Sequence, residues 1–161
     1  MLLGALQENL ITLLCYDTKR APIIRGVVDA ALFGGPYRQI VARVYDFIDK
    51  FKRPPGDHLP DLLSDKLEGE NKREATLYVD IIESIHASRK QVNGEYTMAS
   101  LETFIKRQSL RAITVDLSKA LQRDTEESLE EAANLIASAN HTNLKIFDPG
   151  IRLSNKDRAL N

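Results

Sequence analysis

The sequence predicts an all-α fold: a globular helical bundle followed by a long antiparallel helical hairpin. Three observations point there. Apolar residues recur at helical spacing in every apolar stretch, and the alternation expected of a strand is nowhere convincing. Glycine and proline gather at a few breakpoints: Gly34-Gly35-Pro36, Pro54-Pro55-Gly56 and Asn93-Gly94. Residues 95–140 contain neither, as a long helix interior requires. The expected organisation is a bundle over 1–93, a hairpin over 95–140 and a linker over 141–161, with six to seven helices in all.

The bundle elements follow in order. Residues 1–16 read as a helix with Leu3, Leu6, Leu10, Leu13 and Leu14 on one face. It starts without an evident cap, so the domain is expected to begin upstream. After a turn at Asp17-Thr18-Lys19-Arg20, Pro22 suits the first turn of a helix carrying Ile23, Ile24, Val27, Val28 and Leu32. The clearest amphipathic helix spans 37–52. Its inward set is Ile40, Val41, Val44, Tyr45, Phe47, Ile48 and Phe51, and Arg38, Arg43, Asp46 and Lys50 mark its wet side. Asp57 caps a short helix with Leu59, Leu62, Leu63 and Leu67. The charged run 68–72 opens the next helix, which places Leu77, Tyr78, Ile81, Ile82 and Ile85 inward.

The hairpin arms are expected over 95–123 and 125–140, joined at Arg123-Asp124-Thr125-Glu126-Glu127. Asp124 or Thr125 can cap the second arm, and Glu126 and Glu127 suit its positive N-terminal end. So short a connection makes the arms antiparallel neighbours. On the first arm Leu101, Phe104 and Ile105 share one side. Leu110, Ile113, Leu117 and Leu121 lie roughly opposite, at about 100° per residue. The second arm, through Leu129, Ala132, Ala133 and Ile136, can cover only one of these sides. The other meets the rest of the chain or a second copy. The expected self-association surface is therefore Leu101, Phe104, Ile105, Leu110, Ile113, Leu117, Leu121, Leu129 and Ile136. Charge favours specific pairing, within the hairpin or between copies, over ordinary solvation of two exposed faces: the first arm carries Lys106, Arg107, Arg111, Lys119 and Arg123 against Glu95, Glu102 and Asp116, and the second carries Glu126, Glu127, Glu130 and Glu131 with no Lys or Arg before Asn140. Further on, Phe147-Asp148-Pro149-Gly150 reads as a turn, and Ser154 as the cap of a helix that the chain does not finish. A fragment of a longer protein is expected.

Composition narrows the chemistry. With a net charge of -1 there is no global basic field to gather nucleic acid. Cys15 is the single cysteine, so no internal disulfide forms, and its apolar helix makes it a core residue in a reducing cytoplasm. No apolar run is long enough for a bilayer, and no signal peptide is expected. The phosphate loop G-x-x-x-x-G-K-[ST] is absent, and His58, His86 and His141 lack metal-ligand spacing. No catalytic, cofactor-binding or metal residue is therefore expected. Two basic clusters, Lys50/Lys52/Arg53 and Arg89/Lys90, lie at helix C-termini, where cations are favoured anyway. Tyr37, Tyr45, Phe47 and Phe51 read as core rather than as a stacking platform.

The succession of motifs over about residues 2–140 resembles the N-terminal domain of DnaB-family replicative DNA helicases. Leu2-Leu3-Gly4-Ala5-Leu6 is similar to the family's opening V-L-G-x-L, and Tyr37-Arg38-Gln39-Ile40 to its H-R-x-I. Phe47-Ile48-Asp49-Lys50, then Pro55, Asp57 and Leu62-Leu63, resemble L-Y-x-x-G-x-P-[IV]-D-x-x-T-L. The strongest likeness is Leu101-Glu102-Thr103-Phe104-Ile105-Lys106-Arg107-Gln108-Ser109-Leu110-Arg111, beside the hairpin opening Y-x-x-[IV]-[VL]-[KR]-[ED]-x-[SAY]-[LV]-R. Thr125-Glu126-Glu127-Ser128-Leu129 sits where the family has its second hairpin helix. Leu32-Phe33-Gly34-Gly35-Pro36 replaces the usual P-x-x-F-Y, and Gln108 stands where an acid is common. These departures point to a divergent member, phage or prophage in origin.

The resemblance implies a non-catalytic, cytoplasmic domain that pairs through its hairpin into homodimers, and into a hexameric ring as a trimer of dimers. It implies docking of primase or a helicase loader. DNA and ATP would be handled mainly by a RecA-like motor domain outside these residues. The alternatives from the same sequence are the helicase-binding domain of a primase, a stand-alone helical adaptor, and a helical nucleic-acid-binding domain.

Overall fold

The structure, a computed structural model, describes residues 2–142, with side chains to residue 139. Every regular element among them is helical. The α-helices are α1 (Gly4–Tyr16), α2 (Ala21–Val27), α3 (Gly35–Phe51), α4 (Leu59–Leu62), α5 (Ser64–Leu67), α6 (Lys72–Ser88), α7 (Gly94–Arg123) and α8 (Glu126–Thr142). Single 3-10 turns at Ala30–Leu32 and Gly56–His58 precede α3 and α4. The chain divides into two compact units, residues 1–98 and 99–161, and the division lies within α7. From residue 143 on, the expected linker, the turn at 147–150 and the helix from Ser154 lie outside the described residues. No described helix is long and apolar enough to cross a membrane.

The first unit is built around α1, which packs against α2, α3, α6 and the 3-10 turn at Gly56–His58. Leu10, Ile11, Leu14 and Cys15 of α1 are fully buried with Ile24, Phe33, Ile40, Val41, Val44, Leu59, Leu63 and Ile85. Its N-terminus has no side-chain cap. A buried amide fixes it instead: Gln7 Nε2 donates to the Leu2 carbonyl at 2.8 Å, and its Oε1 accepts the Gly34 N–H at 2.8 Å. Glu8 ties three helices together, accepting from the Tyr37 hydroxyl at 2.7 Å and from the Ser84 hydroxyl at 3.2 Å.

Four sequence expectations change here. Leu3 is exposed while Leu2 is buried, because Leu2 is drawn inward by its backbone bond to Leu32. The short helix after Asp57 is two single turns, α4 and α5. Leu63 leaves helical geometry (φ -114°, ψ 15°), and Arg43 Nη1 takes the Leu62 carbonyl at 2.7 Å. The next helix starts at Lys72, where the Asn71 side chain accepts the Glu74 N–H at 3.2 Å. Its buried stripe is only Tyr78, Ile81 and Ile85, so Leu77, one residue out of phase, faces solvent and Ile82 is half-buried. Lastly, the inward set on α3 is too broad. Its covered arc ends at Ile48, leaving Phe47 half-buried and Phe51 49% exposed.

Candidate self-association surface

The second unit holds α8 and most of α7. Asn93 starts α7 by accepting the Tyr96 N–H on its side chain at 3.0 Å. Between Arg123 and Glu126 only Asp124 and Thr125 intervene, and Asp124 takes a left-handed backbone (φ 46°). Thr125, rather than Asp124, does the capping. Ser128 N–H donates to Thr125 Oγ1 at 3.1 Å, and Thr125 N–H donates to Ser128 Oγ at 2.9 Å, a reciprocal cap. Arg123 Nη2 lies 3.0 Å from Glu131 Oε2, one bond of the kind the charge contrast predicts. Lys106 pairs instead with Glu102 on its own helix. Among the described residues Arg107, Arg111 and Lys119 have no ion-pair partner.

The burial pattern sorts the nine expected surface residues. Leu101 is fully buried within the chain and offers no surface. Phe104, Ile105, Ile113 and Leu117 are half-buried. Leu110, Leu121, Leu129 and Ile136 are 46% to 54% exposed. The expected single side Leu110–Ile113–Leu117–Leu121 is thus divided. The protected side of distal α7 runs through Ile113 and Ala120, and Leu110 and Leu121 sit on its outer shoulder. The protected arc is displaced: at about 100° per residue Ile113 and Ala120 lie close together on the helix, and Leu110 and Leu121 lie about 60–100° round from them.

The expected covering set on α8 is also corrected. Ala132 is buried, but Leu129, Ala133 and Ile136 are exposed. The protected side is Ser128, Ala132, Leu135 and Ala139, at spacings of four, three and four. Small residues lie where the helix is covered, and larger ones lie about 100° away. On α7 the exposed stripe runs through Leu110, Thr114, Leu117 and Leu121. Thr114 keeps it apolar by donating its hydroxyl to the Leu110 carbonyl at 2.7 Å. A shallow groove there is lined by Thr114, Leu117, Ser118, Leu121 and Gln122.

One polar grouping escaped sequence reasoning and one aromatic pair was misassigned by it. Tyr16, Asp57 and His86 meet beside an open pocket that Leu59, Pro60, Ile82 and Glu83 complete. The Tyr16 hydroxyl donates to Asp57 Oδ1 at 3.1 Å, and His86 Nδ1 is 3.3 Å from both. Burial, with Asp57 adding, pushes the Tyr16 phenol up to about 12. The misassigned pair is Phe47 and Phe51, expected in the core: their rings pack together with Phe47 half-buried and Phe51 exposed. Among the described residues no three His, Cys, Asp or Glu side chains are placed to hold a metal ion. His58 is exposed beside Asp61, as a solvent-facing histidine should be. Comparison with family models, curated proteins and solved structures finds no match to this chain.

Proposed function

We propose that this chain is a non-catalytic assembly and docking domain of a replicative DNA helicase, with α7 and α8 forming an antiparallel hairpin that pairs with a second copy. The observation that carries the reading is two exposed apolar rows, Leu110 and Leu121 on α7 and Leu129 and Ile136 on α8. Joined in a hairpin, they would make the kind of apolar patch that marks an interaction site. The motif order from residue 2 to 140 supports the helicase assignment. In this reading the domain hydrolyses no ATP, and primase or a loader docks on the assembled collar in the cytoplasm. DNA is engaged mainly by a motor domain elsewhere in the protein.

Magnitude says how tight the pairing should be. Each half-exposed Leu or Ile still has about 1 kcal/mol to gain from burial. Across a two-fold pair the four residues of each copy supply about 8 kcal/mol. Lost translational and rotational freedom costs about 4–15 kcal/mol. The stripe alone therefore leaves at most about 4 kcal/mol, a dissociation constant of about 1 mM or weaker, and a tighter dimer or a ring needs further contacts. Sedimentation equilibrium from about 0.1 mM to several millimolar protein, the range that brackets such a constant, tests this. A mass rising toward the dimer is expected, and a strict monomer at the highest concentration defeats the proposal.

A further inference from the structure

We infer that the C-terminal end of α3 binds single-stranded nucleic acid, with a base stacking on Phe51 and phosphates meeting Lys50, Lys52 and Arg53. The Phe47 and Phe51 rings pack 4.6 Å apart at 43°, and about half of Phe51 is open to solvent. The Lys50 ammonium lies 5.3 Å from the Phe51 ring centroid. An arriving base would take the ring face and release Lys50 to a phosphate.

The charges around the rings favour an anion. Among the described residues Lys50, Lys52 and Arg53 are exposed and have no ion-pair partner. The acids of the same helix are directed elsewhere. Asp49 accepts two hydrogen bonds from Arg25, at 3.1 and 2.9 Å, and Asp46 adds its attraction to Arg25. Lys52 adds only a weaker pull on Asp49. Lys52 also closes the helix in a left-handed conformation (φ 57°), where glycine is the less strained residue. A cation is kept at a position whose backbone favours glycine.

An unpaired strand suits this surface better than a duplex or a membrane. Rings gain from bases whose faces are free, which a duplex hides. Membrane binding needs a helix that turns a long apolar face outward, and α3 turns its apolar face into the bundle. Three phosphate contacts on a single strand predict a slope of log K against log salt of roughly -2. Loss of one stacked base predicts a drop of about 5- to 150-fold.

The test is fluorescence anisotropy of a labelled twenty-nucleotide oligothymidylate titrated with the 161-residue chain at low salt. Saturable binding with that slope is expected. Phe51→Ala should weaken it about 5- to 150-fold with the slope unchanged, and the triple change Lys50→Gln, Lys52→Gln, Arg53→Gln should flatten the slope. Phe51→Trp supplies a lone tryptophan in a chain that has none, and its emission should be quenched when the strand binds. No saturable binding overturns the inference. So does wild-type affinity in Phe51→Ala, or Phe51-dependent sedimentation with phosphatidylserine vesicles while the oligonucleotide stays free. None of this depends on the assembly reading: a strict monomer that binds the strand would remove that reading and leave this one standing.

Discussion

The Gln7 amide oxygen accepts the Gly34 N–H at 2.8 Å, and both residues are buried. The other end of the same amide holds the Leu2 carbonyl. One side chain therefore satisfies two backbone groups from either side of α1. Gln7→Leu keeps the size and removes both partners. Each orphaned group costs about 1–3 kcal/mol, so the variant should lose about 3 kcal/mol in urea unfolding. A loss below about 0.5 kcal/mol would show that water replaces the amide.

Cys15 should be chemically silent in the folded protein. It is fully buried, and burial pushes its thiol up to about 12. A thiol of that kind has almost no thiolate at neutral pH. Ellman's reagent should therefore leave the native chain untouched, with one thiol per chain appearing across the urea transition. Rapid labelling in buffer alone would place the residue at the surface.

Acid should weaken the α3–α5 junction. Arg43 pairs with Asp65 through both carboxylate oxygens, and the hydrogen bond from Arg43 is the main cause that holds Asp65 down to about 2. A carboxyl lowered on folding contributes stability above its unfolded value near 4. That contribution fades as pH falls toward about 2. Melting temperatures of the wild type should drop across this window, and Asp65→Asn should drop less. Parallel curves for the two proteins would rule the pair out as a source of acid sensitivity.

Substitutions in the second unit should separate surface from core. Leu121→Asp and Leu129→Asp replace exposed side chains, so each should shift the self-association equilibrium and leave the melting of the dilute protein nearly unchanged. Leu101→Ala removes a fully buried side chain and should cost about 2–5 kcal/mol at every protein concentration. Equal melting losses for all three would place Leu121 and Leu129 in an intramolecular core.

Element positions were legible because their signals are local. Gly34-Gly35-Pro36 marks the start of α3 in the sequence as it does in space, and Leu10, Leu13 and Leu14 of α1 are buried as their spacing says, although Leu3 is not. The depth of each apolar arc was not legible. Phe51 and Leu77 belong to arcs wider than their neighbours cover, and hydrophobicity does not say where coverage stops. On α8 ranking by hydrophobicity misled outright, since Ser128 and Ala132 are covered while Leu129 and Ile136 are not. A covered face made of small side chains resembles a polar face in the sequence. The Tyr16, Asp57 and His86 cluster joins residues 41 and 70 positions apart, beyond any local spacing rule.

The reciprocal cap between Thr125 and Ser128 bears on the order of folding events. Its partners are three residues apart, so closing it involves almost no loop entropy. Helix formation of this local kind runs on the sub-microsecond to microsecond scale. The start of α8 is then set before distant segments meet, and its register does not wait for the slower collapse around α1. Thr125→Ala removes the oxygen that accepts the Ser128 N–H and should weaken this local start by about 1 kcal/mol.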